Sequence, residues 1–400
     1  SDFIDEAVEG VSGNHRNRLQ KLSNDDNFIE FKNLLDITYI VNKYKNDNRL
    51  NKIVSLQQSI SSFPITFLDL PYGTSLIQIV ETFERINRTG KPLTIFELLS
   101  AKLYQKNIRL YRLLDNSIDD FSHLENVEPE IILRIICFIR DTDFNRSNIL
   151  DLSSDNFELH WEKACHAFKM AYKRLMDLQS GYGVYDFNKI PFNTMIIPLA
   201  AILLYLKEQK LDNAKNYKKI DKWYWISVFN ERYTQSTNAI SYSDYKLLKE
   251  YLKNDTIPDF ISNFDLNSIQ LDVDSTGSAI YKGIFCLLAL NNVKDYTTDQ
   301  SIKIEPERVQ DDHIFPKSKY NDNSALNRTL ISTNQKKSSK HPSVYFSTLL
   351  QSSGENTILS RLATHFISNK GFQALLKNDL DSLKQDRKDN IIKFIEGRIN

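Results

Sequence analysis

The chain has 400 residues, enough for two or three domains that each bury a core. Lys plus Arg and Asp plus Glu both number 51, so no net charge exists to form a uniformly basic coat for nucleic acid. Hydrophobic residues at 41%, with only 11 Gly and 10 Pro, exclude a mainly disordered, collagen-like or linker-rich chain and favour long helices.

Residues 28–41 alternate loosely, so helix and strand compete there. Residues 65–70 form a short apolar run between Pro64 and Pro71, which suits a strand. Ile77, Val80, Phe83 and Ile86 share one face of a helix expected over 75–87, and 88–92 is a turn. Thr94 and Glu97 form a capping box that starts a helix at Ile95 and carries it to about Tyr104. Pro129 falls at a first helical turn before 131–140, and Asp155 with Glu158 opens a helix that runs to about 178. Gly181 and Gly183 break the pattern. The helix expected over 192–208 holds the longest apolar run, 195–206, and should kink at Pro198. That run is shorter than the ~20 residues that span a bilayer, so it reads as buried and no membrane partner is expected. Helices follow over 220–232 and 243–253.

A break falls at 256–258. Residues 277–291 form a strongly apolar helix, 302–305 and 308–312 are short and extended, and 332–343 are rich in Ser, Lys and Asn. Helices return over 357–367, 371–383 and 386–395. Cys137, Cys165 and Cys286 are far apart, with no Cys-x-x-Cys pair. They fit a reducing, cytoplasmic setting rather than a disulfide scaffold or a zinc knuckle. The first residues, which begin at Ser1, do not have the pattern expected of a secretory leader. Trp223, Tyr224, Trp225, Tyr233, Tyr242 and Tyr245 read as core aromatics rather than base-stacking groups. His160 and His166 are six apart on a helix, so they lie on different sides and do not make one metal site.

The segment that carries chemistry is Asp311-Asp312-His313-Ile314-Phe315-Pro316-Lys317-Ser318, followed by Asn327-Arg328-Thr329-Leu330-Ile331-Ser332 and Asn334. Phosphodiester hydrolysis needs a group that takes a proton from water near neutral pH, and His313 suits that task. It also needs charge neutralised at the phosphate, which a hard divalent cation supplies through one or two protein oxygens. Asp312 offers a carboxylate and Asn334 an amide oxygen. Asn327 offers an amide that could hold one ring nitrogen of His313. Adjacent residues on a strand point to opposite faces, so a bend is needed to bring Asp312 and His313 to one site, and Pro316 is placed to enforce it. Residues 309–345 hold six basic and three acidic side chains. Lys317, Arg328, Lys336 and Lys337 are candidates for phosphate contacts.

These residues resemble the HNH, or His-Me finger, nucleases. More narrowly they are similar to the C-terminal nuclease domain of GmrSD-like, modification-dependent restriction proteins, in which a helix like 277–296 precedes the site. The resemblance implies a ββα-metal site with His313 as general base, Asp312 and Asn334 as ligands of Mg²⁺ or Mn²⁺, and Asn327 as orienting amide. The step from Asn327 to Asn334 is about two residues shorter than in that family, so Ser332 and Ser338 stand as alternatives to Asn334. Residues 83–93 (Phe83-Glu84-Arg85-Ile86-Asn87-Arg88-Thr89-Gly90-Lys91-Pro92-Leu93) are similar to a signature of the partner domain, which has a ParB/sulfiredoxin-like fold. That likeness implies a nucleotide or sensor site at Arg85, Asn87 and Gly90, with a nucleoside triphosphate as its cofactor. The family's upstream Asp-Gly-Gln-Gln-Arg-type motif is missing, and Ser1 stands first, so the chain is expected to begin inside that domain.

The expected fold is mainly α and multi-domain. It comprises the end of a ParB/sulfiredoxin-like domain over 1–105, a helical domain over 106–255, and an HNH-like nuclease embedded in helices over 256–400. The expected function is metal-dependent cleavage of DNA, duplex and foreign or modified, by a cytoplasmic restriction protein able to form homo-oligomers. The alternatives are a catalytically degenerate DNA-sensing module and an RNA-cutting toxin.

Overall fold

The computed structural model describes residues 29–400, apart from 65, 66, 68, 75–77, 80, 81, 83–92 and 334–338. The chain divides into two compact units, 1–126 and 127–400. The sequence reading drew three segments, with bounds at 105 and 255. The first unit holds helices α1 (Ile37–Tyr44), α2 (Leu50–Ser61), α3 (Ile95–Tyr104) and α4 (Leu110–Asp120). The capping box predicted for α3 is formed: Glu97 N donates to Thr94 Oγ1 at 3.2 Å, and Thr94 N donates to Glu97 Oε2 at 2.7 Å. Phe96, Leu98, Leu99 and Leu103 give that helix its buried face. The expected strand and the first part of the expected helix lie partly outside the described residues.

The second unit is helical around one small sheet. Its main helices are α5 (Glu130–Ile139), α6 (Phe157–Met176), α7 (Ile196–Glu208), α8 (Ala214–Phe229), α9 (Thr237–Asn254) and α10 (Ala279–Leu290). After the sheet come α11 (Pro342–Ser353), α12 (Glu355–Ala363), α13 (Asn369–Lys377) and α14 (Leu380–Ile399). No described helix is long and apolar enough to cross a membrane.

Pro198, where a kink is expected, falls near the start of helix α7. The helix begins at Ile196, so Pro198 sits in the first turn, where a missing N–H breaks no intrahelical bond. Helix α10 is buried at every position but Lys282. It packs so closely on α8 that a Cβ added at Gly283 would meet Val228 Cγ1 at 2.8 Å. Trp223, Tyr224, Trp225 and Tyr233 are all buried, as core aromatics should be. Burial of each such side chain contributes roughly 1.5–3 kcal/mol. The expected break between the last two helices, at 383–386, falls earlier, at left-handed Asn378 (φ 56°).

The sheet is one antiparallel pair, β1 (Val309–His313) and β2 (Arg328–Ser332). Its register puts Asp312 opposite Thr329 and His313 opposite Arg328. A core of Tyr296, Ile314, Phe315, Ile331, Phe346 and Leu362, among others, joins this hairpin to α11, α12 and α13.

Candidate active site

His313 is the last residue of β1, and the chain bends immediately after it. Ile314, Phe315 and Pro316 are buried and anchor that bend. Asn327 fixes its shape. The amide oxygen accepts from Phe315 N at 2.8 Å, while Nδ2 donates to the carbonyls of Phe315 (3.1 Å) and Asp322 (3.3 Å). The Asn327 carbonyl accepts from Ile314 N at 2.7 Å. This corrects the expectation for Asn327, whose amide holds the backbone of the bend rather than the imidazole.

The amide that meets His313 is Asn323, with Oδ1 3.3 Å from Nε2. When Nε2 carries the proton and donates to that oxygen, Nδ1 keeps the lone pair, and no described residue bonds it. Sequence reading passed over Asn323 because spacing alone does not say which of several amides in 321–327 turns towards the ring. Burial holds the His313 pKa below the ordinary histidine value, and the positive charge of Arg328 adds to the effect. The imidazole is thereby kept in its basic form.

Arg328 lies directly across the hairpin from His313. Its Nε donates to Asp311 Oδ1 at 2.7 Å, and the other carboxylate oxygen of Asp311 accepts from the Tyr281 hydroxyl. Asp311 and His313 are two apart on β1, so they share the face that carries Arg328. The doubled aspartate of the motif thus splits into two roles. Asp311 is paired with a cation and accepts from a phenol, whereas Asp312 lies on the other face of the strand.

Asp312 points to the opposite face of the strand, with Thr329. The Thr329 hydroxyl is 2.7 Å from His365 Nδ1, and His365 Nε2 is 2.6 Å from the Lys294 carbonyl. Asp295 is a second carboxylate whose charge, with that of Asp312, reaches Tyr345 on this side. Burial, followed by the charges of Asp295 and Asp312, pushes the Tyr345 hydroxyl up to about 12. That hydroxyl is buried without a hydrogen-bond partner among the described residues. Asp295 accepts from Ser332 N at 2.9 Å and from Ser332 Oγ at 2.6 Å. Ser332, one alternative ligand, is therefore engaged by a carboxylate.

Among the described residues no three His, Cys, Asp or Glu side chains gather into a metal cluster. An all-oxygen set built on Asp312 nevertheless suits Mg²⁺ or Mn²⁺, because such ions keep several waters and need few protein ligands. Asn334, Lys336, Lys337 and Ser338 lie outside the described residues, as do Arg85, Asn87 and Gly90. Lys317 is exposed at the start of a short helical turn just past the bend.

Helix α14 braces the turn between the strands. The buried Arg387 guanidinium donates through Nη1 to the carbonyls of Arg328 (2.9 Å) and Ala325 (3.3 Å), and through Nε to that of His365 (3.1 Å). Burial lowers the pKa of this guanidinium to about 10. One turn earlier, Lys384 bridges Asp322 at 3.1 Å and Asp272 at 2.8 Å. Asp322 immediately precedes Asn323, so this bridge also sets the amide that meets His313.

Residues 295–343 match the family model described as HNH endonuclease. The match takes in both strands, the bend and Asp295. The chain is also 28% identical over 453 residues to an uncharacterized protein of Methanocaldococcus jannaschii, an alignment that covers 99% of this chain and 76% of the relative. The segment carrying His313 is thus of the HNH nuclease type, set near the C-terminus of a mainly helical protein.

Proposed function

We propose that this protein is an endonuclease that hydrolyses DNA phosphodiester bonds with Mg²⁺ or Mn²⁺. The observation that carries this reading is His313, bound at Nε2 by Asn323, unpartnered at Nδ1 and facing Arg328 within a segment of HNH type. His313 Nδ1 takes a proton from a water. The water oxygen attacks phosphorus, and the bond to the leaving sugar oxygen breaks. A positioned base of this kind contributes roughly 10²- to 10⁴-fold. The Arg328 guanidinium, aimed by Asp311, neutralises charge on the phosphate, and Lys317 contacts a neighbouring phosphate. Asp312 would hold the cation, with Asn334 as its second ligand. The bound cation supplies charge neutralisation at the phosphate and the leaving oxygen.

The likeness of residues 83–93 to the partner domain of GmrSD-like proteins supports a role in restricting foreign, modified DNA, with nucleotide binding at Arg85, Asn87 and Gly90. The test is plasmid cleavage, on modified and unmodified DNA, by the wild type and by His313→Ala. The expected outcome is cutting by the wild type only. Equal cutting by both proteins would put the activity elsewhere.

A further inference from the structure

A second concave site lies in the same unit, away from the hairpin strands. It is a cleft of about 480 Å³ between the last three turns of α14, the turn that joins α12 to α13, and the end of α10. Ligand sites commonly fall in the range of roughly 300–1,000 Å³.

Four observations define what would fill it. First, its aromatic wall is held in a disfavoured conformation. Phe366 has φ +61°, the left-handed region that residues with a Cβ avoid, and its ring meets Phe394 at 5.1 Å between centroids. Second, the cleft carries two cations and no carboxylate. Arg398 lies 5.2 Å from the Phe394 ring centroid and makes no ion pair with a described residue, and Lys393 is exposed. The charge of Asp221 reaches Arg398 from outside the cleft, but two cations lining a cleft that holds no carboxylate still favour an anion beside them. Third, Asn291 Nδ2 donates to two backbone carbonyls and Asn390 Nδ2 to one, while each keeps its amide oxygen as an acceptor. Fourth, a Cβ added at Gly397 would meet nothing within 4 Å, so the helix face there is open. A ligand that matches has a flat ring, a few donors on its edge and a negative charge.

We propose that this cleft binds a nucleotide, with its base against the half-buried Phe394 ring, which the buried Phe366 backs edge-on, and its phosphate on Lys393 and Arg398. Stacking and cation contacts are the usual means of holding an unstacked nucleotide. The demand for an anion that bears a ring comes from the cleft, while the choice of a nucleotide rests on the nuclease reading. Two sources share this chemistry, a free mononucleotide and a nucleotide splayed from the bound strand. His365, adjacent to Phe366, bonds Thr329 of β2, so an occupant of the cleft would sit one residue away from a group that supports the hairpin.

The test measures binding to the full chain in chelator, where no strand is cut. Equilibrium dialysis would use deoxynucleoside monophosphates, inorganic phosphate and a short single-stranded oligodeoxynucleotide. Gly397→Met projects a side chain into the open space and replaces a poor helix former by a good one, so its thermal melt should not fall. Expected is nucleotide binding that weakens at least about tenfold in Gly397→Met and in Lys393→Ala, and stays unchanged in His313→Ala. Loss with the oligonucleotide alone would assign the strand as source. Loss with the mononucleotide as well would assign a free effector. No nucleotide binding by the wild type, equal binding by Gly397→Met, or phosphate binding as tight as the mononucleotide's would each overturn the proposal. Cleavage by the same variants is scored separately, so failure of the cleft is distinguishable from failure of the nuclease site.

Discussion

Arg328 faces His313 across the loop end of a two-stranded hairpin, and Asp311 holds its guanidinium on that side at 2.7 Å. In the proposed hydrolysis a cation fixed beside the imidazole would serve twice, because it would meet the phosphate and it disfavours the charged form of the base. Arg328→Ala should therefore lower the single-turnover cleavage rate by about 10²-fold, the scale for loss of one preorganised donor. Asp311→Asn keeps the shape but loosens the guanidinium, and should cost less, roughly tenfold. Rate measurements on both variants at saturating DNA check this order, and equal losses would refute it.

The protonation state of His313 is itself measurable. In the metal-free protein its imidazole should titrate below the ordinary value of about 6.5, because burial and Arg328 both disfavour the cation. A folded pKa below the unfolded one means that the unfolded chain binds the proton first. Folded stability from this group is thus complete above about 6.5 and declines as the pH falls through that value. Histidine ring signals followed by NMR in the wild type and in Arg328→Gln check the direction, with an upward move expected in the variant.

Asn327 and Asn323 should separate structure from function. Asn327 is buried with three side-chain hydrogen bonds, so Asn327→Ala should destabilise the fold by on the order of 2–4 kcal/mol, read by denaturant unfolding. Asn323→Ala should unfold like the wild type and lose activity about tenfold, because only the aim of the imidazole is lost. The reverse pattern would return the orienting role to Asn327.

Removal of divalent cations should stop cleavage and leave the fold in place. The hairpin is pinned by protein groups, Asn327, Arg387 and Lys384, rather than by an ion. A melt in chelator should match the melt in Mg²⁺ within a few degrees, with a small stabilising excess where the ion binds. Retained cutting in chelator would contradict the cation's role, and a collapsed melt would contradict the pinning.

Much of the site was legible because short-range chemistry leaves short-range marks. Thr94 and Glu97 sit at capping-box spacing, and both bonds form. The Asp312-His313 pair with Pro316 announced a strand followed by a bend. What stayed hidden depends on long-range contacts. Arg387 looks like any charged residue of a polar helix until its guanidinium is seen among the carbonyls of 325–328. Asn323 and Asn327 are chemically identical in the sequence, and only the path of the turn decides which one is swallowed by the bend. Apolar periodicity runs through Pro198 and so predicts a kink there, but the helix starts only two residues earlier, which places the proline in the first turn, where its missing N–H breaks no intrahelical bond.

The bracing of the hairpin by Arg387 also bears on the order in which the protein is made. About 55 residues separate Ser332 from Arg387, so a ribosome adding ~5–20 residues per second delivers the brace several seconds after both strands have emerged. A two-stranded hairpin is marginal in water without such support. The nascent chain is therefore expected to hold His313 and Arg328 unassembled until 384–387 arrive, so that the site is completed only as α14 is made.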